Sequence, residues 1–311
     1  MGRIINIGKG EYMKFEKIKY IERKTGETLI EKVPGEKYLE FLYYNPLGEL
    51  PLNMIVRKKW LTSYYGKKMD TPESVNKIES FVKETGINMA EAKKSIKEFT
   101  SFNDFFYREL KPGARKIDYN ENVLVSPADG KILAFENLDD EKKLYIKGDE
   151  FTLQEFFKDD ELAKKYKGGT FVIVRLAPVD YHRFHFPTDG KISESKLIEG
   201  YYYSVSTHAI KKNFRILCEN KREYSILHTE NFGDIAMVEV GATMVGGITQ
   251  TYTPNTYVSK GDEKGYFYFG GSTCILVFEK GKIQMDRDLI ENTKKGIETK
   301  VYMGEKIAVA K

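Results

Sequence analysis

The first third of the chain carries its hydrophobic residues at helical spacing. Between Pro51, a favoured first residue of a helix, and Gly66, a favoured stop, apolar and aromatic side chains collect on one face. Lys58 and Lys59 lie off that face. The apolar face consists of Leu52, Ile55, Val56, Trp60 and Tyr64. The pattern therefore predicts a basic amphipathic helix.

Helical spacing also dominates the segment that follows. It predicts helices over residues 73–84 and 88–99. A last short helix is predicted from Ser101, because Ser101 and Asp104 stand at the spacing of a capping box, with aspartate in place of glutamate. Residues 1–35, by contrast, form a charged lead that favours short strands.

After about residue 119 the pattern changes to short apolar or alternating runs separated by Gly, Pro and Asp, which is typical of strands. The predicted strands are 123–126, 131–135, 170–176, 192–198, 235–240, 243–248 and 273–278. Two minor helices are predicted at 153–165 and 207–214. The fold class is therefore α+β, with a helical N-terminal region over 1–118 and a mostly antiparallel β catalytic domain over 119–311.

Composition narrows the class of protein. The 311 residues are 41% hydrophobic and 13% aromatic, which is enough for a packed core. The apolar runs are far shorter than the roughly 20 residues of a membrane-spanning helix. The first residues lack the apolar stretch of a secretory signal. Two cysteines, Cys218 and Cys274, are too few for a disulfide framework or a thiolate zinc site.

The net charge of 50 − 46 = +4 is concentrated in one segment. Residues 37–69 hold six basic and two acidic side chains, so they account for all of the excess. A basic helix with interfacial aromatic residues suits an anionic membrane surface. From the periodicity alone, an ordinary surface helix that buries its apolar face in the same chain is the favoured interpretation. Nucleic acid is disfavoured as a partner, because basic residues are not spread along a face elsewhere.

Two of the four histidines, His182 and His185, stand close together in YHRFHFP. Imidazole suits acid and base catalysis near neutral pH. Spacing alone leaves three interpretations open, namely catalytic, structural and metal-binding histidines. A zinc site would need a third ligand, and neither HExxH nor a cysteine pair accompanies them.

Two short glycine-containing segments are further candidates. Asp129 in SPADG is either a turn residue or a carboxylate that orients a histidine. Ser272 follows Gly270 and Gly271 in GGST, ahead of an apolar run. This segment is either a glycine turn or a place where a serine hydroxyl reaches a poorly shielded neighbouring carbonyl. It matches neither GxSxG nor a phosphate loop.

Taken together, five blocks resemble the phosphatidylserine decarboxylase family, in the form found in its clostridial-type branch. They are SFNDFFYRELKPGARKI (101–117), SPADGKI (126–132), APVDYHRFHFP (177–187), VGATMVGGI (240–248) and KGYFYFGGSTCILVF (264–278). They occur in the family's order across about 180 residues, and the DYHRxHxP and GST blocks are specific to it.

The resemblance implies a proenzyme that cuts itself between Gly271 and Ser272 into a β chain (1–271) and an α chain (272–311). Ser272 would become a covalent pyruvoyl cofactor, which forms a Schiff base with the substrate amine. His185 would activate Ser272, and Asp129 would hold His185 in the right tautomer. His182 would position the carboxylate or supply a proton. The implied reaction converts phosphatidylserine to phosphatidylethanolamine and carbon dioxide without a metal.

A lipid substrate also changes the interpretation of the basic segment, which then favours membrane docking. The resemblance implies a peripheral enzyme on the cytoplasmic side of the cell membrane, commonly a homodimer, without a nucleic-acid partner. Two other hypotheses compete with this one. A non-catalytic lipid-carrying β protein would use GGST only as a turn, and a histidine-metal hydrolase would use His182 and His185 as ligands.

Overall fold

The computed structural model describes residues 17–31, 40–41, 64, 66–137, 152–242, 247–270 and 272–311, without the side chains of His208, Lys211 and Lys212. Most of the predicted amphipathic helix therefore lies outside the described residues, and so do Gly271 and the first part of the predicted strand 243–248. The helical membrane-docking region stays a prediction. The rest is mostly antiparallel sheet with few helices, as expected of an α+β fold.

The predicted runs that the structure describes contain strands, and further strands form between and after them. The described strands are β1 (Lys19–Glu22), β2 (Thr28–Ile30), β3 (Val123–Val125), β4 (Gly130–Phe135), β5 (Thr170–Leu176), β6 (Arg183–His185), β7 (Gly190–Ile192), β8 (Lys196–Ile198), β9 (Arg222–His228), β10 (Asp234–Val240), β11 (Ile248–Gln250), β12 (Tyr257–Val258), β13 (Glu263–Phe267), β14 (Ser272–Phe278), β15 (Ile283–Met285), β16 (Glu298–Val301) and β17 (Lys306–Ala310). Predicted strand 192–198 is two strands, β7 and β8.

One large sheet organises the molecule. Its strand order is β12-β7-β9-β10-β14-β5-β4-β16-β1-β2, with β8 also paired to β9. The β1–β16 pair is parallel, and the other pairs are antiparallel. Two three-stranded sheets, β11-β13-β6 and β15-β17-β3, lie beside it. All seven residues of β5 and of β14 are buried, because these strands are central in a sheet that is covered on both faces.

The helices of the described chain are short. They are α1 (Ile78–Thr85), α2 (Phe102–Phe106), α3 (Leu153–Phe157), α4 (Asp160–Lys165), α5 (Thr207–Lys212), α6 (Ile216–Glu219) and α7 (Arg287–Lys294). Helices α3 to α6 supply side chains to the core on one face of the large sheet. Both small sheets and α7 supply the core on the other face.

The N-terminal helical predictions are confirmed in part. The 73–84 prediction corresponds to a 3-10 turn over Pro72–Lys77 followed by α1. The helix from Ser101 is confirmed, since the Ser101 hydroxyl accepts the Asp104 N–H at 3.1 Å. The helix over 88–99 is wrong, because only single 3-10 turns form at Met89–Glu91 and Ile96–Glu98.

The physical reason for that error is local capping. The Asn88 side chain accepts the Ala90 N–H, and Glu98 accepts the Ser95 N–H, so each cap starts a separate turn. Between the two turns, Ala92 forms a β-bridge with Leu110 instead of continuing a helix. Helical spacing of the apolar residues did not reveal this competition.

Helix α2 packs against the segment before β14 through aromatic side chains. Phe102 and Phe106 each meet Phe269 edge to face, with ring centroids 5.0 Å apart. The Asn103 side-chain oxygen accepts the Phe269 N–H at 2.9 Å. These contacts fix α2 against the segment that leads into β14.

Candidate active site

Ser272 is the first residue of β14, between β10 and β5 in the middle of the large sheet. It pairs with Leu176, which places its side chain on the sheet face that carries Cys274 and the small sheet with β6. The residue is wholly buried, and its hydroxyl oxygen has no hydrogen-bond partner in the described part of the chain. A buried hydroxyl without a partner is unusual and points to a function.

The chain enters β14 through an unusual backbone conformation. Gly270 has φ of 138°, a region that side chains with a Cβ rarely adopt. Gly271, on the acyl side of the predicted cleavage site, lies outside the described residues. Glycine is therefore favoured at position 270 because residues with a Cβ rarely adopt this backbone conformation.

His182 lies beside this entry segment. Its backbone carbonyl accepts the Phe267 N–H at 2.9 Å, and its ring centroid is 3.9 Å from that of Phe106. Its Nδ1 atom donates to the Asp180 carbonyl at 2.9 Å, so Nε2 carries the lone pair, and Nε2 has no partner among the described residues. Burial lowers the pKa of His182 to about 4, although a backbone group of Gly270 lies close enough to raise it. His182 is thus a neutral base near the predicted cleavage site.

His185 is also buried, but both of its ring nitrogens have partners. Nδ1 donates to the Gly261 carbonyl at 2.9 Å, and Nε2 lies 3.2 Å from the Tyr181 hydroxyl, which donates to it. Burial lowers the pKa of His185, while the charges of Glu263 and Asp129 raise it. His185 is therefore a neutral base whose lone pair already accepts a hydrogen bond.

Asp129 occupies the tight turn before β4, where an added Cβ at Gly130 would lie 2.7 Å from the Arg175 carbonyl oxygen. Its carboxylate accepts bonds from Arg115 at 2.6 to 3.1 Å and from the Met303 N–H at 2.9 Å. It makes no hydrogen bond to His185. The expected direct contact is absent because both partners are engaged elsewhere. The Gly261 carbonyl, and not Asp129, fixes the tautomer of His185.

Comparison with known proteins identifies this arrangement. The sequence model of the phosphatidylserine decarboxylase family matches residues 102–309, two thirds of the chain. The chain belongs to the phosphatidylserine decarboxylase family. A phosphatidylserine decarboxylase proenzyme from Fusobacterium nucleatum is 69% identical over 94% of this chain and 98% of its own length. Proenzymes of that name from Clostridium novyi and Desulfitobacterium hafniense are 52% and 51% identical, over 93% and 94% of this chain and 98% of their own lengths. The predicted family is confirmed.

A buried ionic network of this family member lies beside the histidine segment, and sequence reasoning missed it. It consists of Glu31, Lys131, Arg175, Asp180, Glu298 and Lys300, all at most 8% exposed. Arg175 binds Glu31 and Glu298 at 2.7 Å. Asp180 binds Lys300 at 2.6 Å and Lys131 at 3.4 Å. Burial alone would raise the pKa of Asp180, but the two lysines hold that pKa well below its usual value.

The network also supports the site geometrically. Thr273, Arg175, Lys131 and Lys300 are opposite one another on adjacent strands, so their side chains share one sheet face. Asp180, anchored by the lysines, supplies the carbonyl that fixes the tautomer of His182. The available signal was a charged residue inside an otherwise apolar strand, as in Arg175 of TFVIVRL.

Four side-chain atoms near the start of β14 contrast with this network. They are Arg108 Nη1, His182 Nε2, Ser272 Oγ and Thr273 Oγ1, here called the unpaired set. They make up four of the seven buried side-chain atoms without a hydrogen-bond partner in the described residues. Buried polar atoms without partners are typical of sites that bind or react, so the region of His182 and Ser272 is the candidate reactive centre.

The remaining observations concern metals and membranes. Within the described ranges, no three His, Cys, Asp or Glu residues are grouped to hold a metal ion. The described helices include none with the length and hydropathy required to span a bilayer. His228, exposed and bound to Asp234 at 2.7 Å, lies at the far end of β9.

Proposed function

We propose that the chain is a proenzyme that cuts itself between Gly271 and Ser272. The Ser272 hydroxyl attacks the Gly271 carbonyl carbon, and the amide nitrogen leaves to give an ester. Loss of the Ser272 Cα proton then releases the Gly271 carboxylate and leaves dehydroalanine. Tautomerisation to an imine and hydrolysis give a pyruvoyl group and ammonia. The products are chains of 271 and 311 − 271 = 40 residues.

The observation that carries this proposal is the state of Ser272. Its hydroxyl is buried, has no described hydrogen-bond partner and follows two glycines, the first of which has φ of 138°. A serine that only capped a turn or paired in a strand would satisfy its hydroxyl with a nearby backbone group. These residues fit a pyruvoyl group formed in place from Ser272.

We assign to His185 the proton of the Ser272 hydroxyl during maturation. His185 is neutral, and therefore able to accept a proton, because burial lowers its pKa. The charge of Asp129 favours the protonated form of His185, although the Gly261 carbonyl and not Asp129 binds Nδ1. In this step the Ser272 hydroxyl replaces the Tyr181 hydroxyl as the donor to Nε2.

For turnover, the proposed substrate is phosphatidylserine and the products are phosphatidylethanolamine and carbon dioxide. The pyruvoyl group supplies a ketone that captures the substrate amine and a conjugated carbonyl that accepts the electrons released with carbon dioxide. His182 holds its lone pair at Nε2 beside the segment that precedes Ser272. We assign to this atom the positioning of the carboxylate and the proton transfer at the substrate α-carbon.

The test is the mass of the purified chain. Wild type should give two fragments on a denaturing gel, and the 40-residue fragment should carry a pyruvoyl terminus that lacks the serine nitrogen. Ser272→Ala should remain one chain of 311 residues without decarboxylase activity. Ser225→Ala is the matched control, because Ser225 is another buried serine of the large sheet without a hydroxyl partner, and it should cleave normally. Carbon dioxide release by an intact wild-type chain would contradict the proposal.

We further propose that the enzyme docks on an anionic membrane surface through residues 37–69, and that it works there as a homodimer. The charge of that segment, 6 − 2 = +4, and its aromatic residues support docking. Lys58→Glu combined with Lys59→Glu should weaken sedimentation with phosphatidylserine vesicles by roughly tenfold or more, at about 1 kcal/mol per charge. Unchanged sedimentation would refute the assignment.

A further inference from the structure

Arg108 is a buried cation that forms no ion pair in the described part of the chain. It follows α2, its side chain is 6% exposed, and it makes no ion pair or side-chain hydrogen bond with any described residue. Its Nη1 atom is wholly buried and unpaired. Its guanidinium carbon lies 5.3 Å from the centre of the Phe105 ring, which cannot replace an anion.

Other buried cations in the described residues are fully satisfied. Arg115 binds Asp129 and Glu91, and Lys264 binds Glu239 at 2.7 Å. Lys260 donates to three backbone carbonyls, and Arg222 donates to four. A buried charge without such partners costs considerable folding free energy, so Arg108 is exceptional.

Arg108 lies two residues after Phe106, whose ring centroid is 3.9 Å from that of His182. Burial lowers the pKa of Arg108, and the charges of Asp129 and Asp180 raise it. In return, Arg108 contributes to the lowered pKa of His182. Arginine stays charged at neutral pH even when buried. A permanent positive charge therefore acts on His182 from the end of α2.

We propose that Arg108 binds the phosphodiester of the lipid substrate. The inference rests on the proposed function and adds the group that recognises the lipid head. A guanidinium offers two parallel N–H groups to phosphate oxygens, which is the geometry that arginine favours. The phosphorus of a serine phospholipid is separated from the reacting α-carbon by one ester oxygen and one methylene. In this proposal one head group places its phosphodiester at Arg108 and its α-carbon at the reactive centre.

The reaction itself favours the phosphodiester over the substrate carboxylate. The carboxylate loses its charge as carbon dioxide leaves, so an arginine bound to it would stabilise the substrate more than the transition state. The phosphodiester keeps its charge in substrate, transition state and product. Arg108 bound to the phosphodiester strengthens binding without raising the barrier.

The experiment uses the mature enzyme with short-chain phosphatidylserine as substrate and short-chain phosphatidylethanolamine as inhibitor. The product has the phosphodiester and lacks the carboxylate. Arg108→Met should raise KM and the inhibition constant by the same factor, roughly 10- to 150-fold for a charge-assisted bond, with a much smaller change in kcat. Arg108→Lys should recover part of both affinities. Arg215→Met, at a surface arginine paired with Glu155 and Glu219, should change neither.

A second measurement separates recognition from a structural role. In a Ser272→Ala background, Arg108→Met should melt at the same or a higher temperature, because it removes an unpaired buried charge. A lower melting temperature would make Arg108 structural and overturn the proposal. If KM rose while the inhibition constant stayed unchanged, Arg108 would bind the carboxylate and not the phosphodiester. If KM stayed unchanged, Arg108 would have no part in substrate recognition. A wild-type enzyme that releases no carbon dioxide would instead refute the proposed function.

Discussion

The buried ionic network and the unpaired set are neighbouring groups of buried polar atoms with opposite properties. In the network every charge has a counter-charge within 4 Å, and the pairs join residues as distant in sequence as Glu31 and Arg175. In the unpaired set, polar atoms have no described partner at all. Satisfied buried groups specify a structure, whereas unsatisfied ones are retained where chemistry or binding needs them. The comparison distinguishes the residues that hold the site from those that act in it.

The largest expected effect is on kcat and comes from replacing His182, a member of the unpaired set. In His182→Asn the amide can still donate to the Asp180 carbonyl, while the lone pair of Nε2 is lost. We expect normal cleavage and a kcat reduced by about 10² to 10⁴, the usual contribution of a general acid or base. The measurement is carbon dioxide release per cleaved chain.

Two variants sharpen this expectation. His185→Asn should block cleavage itself, so its gel should show one uncleaved chain. His228→Asn, at an exposed histidine paired with Asp234, should cleave and turn over normally. If His182→Asn left kcat intact, the proton-transfer role would be wrong.

The next effect comes from breaking the network at Arg175. Arg175→Met leaves Glu31 and Glu298 without their bidentate partner, and removing one member of a buried ion pair costs about 3 to 5 kcal/mol of unfolding free energy. Urea denaturation in the Ser272→Ala background measures this cost. Arg23→Met, at a more exposed pair with Asp286, should cost about 1 kcal/mol or less. Equal losses of unfolding free energy in Arg175→Met and Arg23→Met would contradict the special contribution of the buried network to stability.

As the pH falls, protonation of the buried histidines should destabilise the fold before the carboxylates of the network are protonated. The lowered pKa of His182, about 4, means that the unfolded chain binds a proton below pH 6.5 while the folded chain does not. Stability from this group is full above pH 6.5 and falls as the pH drops to 4, by about 2 to 3 kcal/mol at 1.36 kcal/mol per pKa unit. Denaturation at pH 7, 6 and 5 measures it.

The comparison variant for that experiment is His182→Asn, which should flatten part of the pH dependence. The pKa of Asp180 is lowered instead, so its contribution is present above pH 4 and is lost only at more acidic pH. A stability that stayed constant from pH 7 to pH 5 would contradict the burial of neutral histidines.

The smallest effect is expected at Tyr181. Tyr181→Phe removes the hydroxyl that donates to His185 Nε2 at 3.2 Å, and the bond from Nδ1 to the Gly261 carbonyl remains. We expect a loss of about 1 kcal/mol in stability and cleavage within a few-fold of wild type. Tyr257→Phe, at a tyrosine that is 73% exposed, is the control and should change neither. A block of cleavage by Tyr181→Phe would give that hydroxyl a role in maturation.

Local patterns predicted the sheet better than the site. The runs that became β5 and β14 were predicted to within one residue, because apolar β-rich segments bounded by glycine keep their conformation in any β fold. The helix over 88–99 was wrong because side-chain caps overrode the spacing. The motifs predicted the Asp129 turn and the strand that Ser272 enters, whereas strand β6, which carries His185, was not predicted.

The spacing of residues along the sequence could not predict the hydrogen-bond partners of those residues. Nothing near Asp129 in sequence indicates that Met303 and Arg115 occupy its carboxylate. Nor does the YHRFHFP motif indicate that Gly261 takes Nδ1 of His185. Such contacts join positions far apart in the chain, and only the assembled sheets bring them together.

The position of Ser272 at the start of β14 has a consequence for reversibility. Residues 272–311 pair with the rest of the protein through β14 on both sides, through β16 and through β17. Cleavage would leave the folded assembly intact, but after denaturation two separate chains would have to find each other. Recovery would then depend on concentration, whereas the uncut precursor would refold as a single molecule. The protein would therefore fold as a single chain only before it cuts itself.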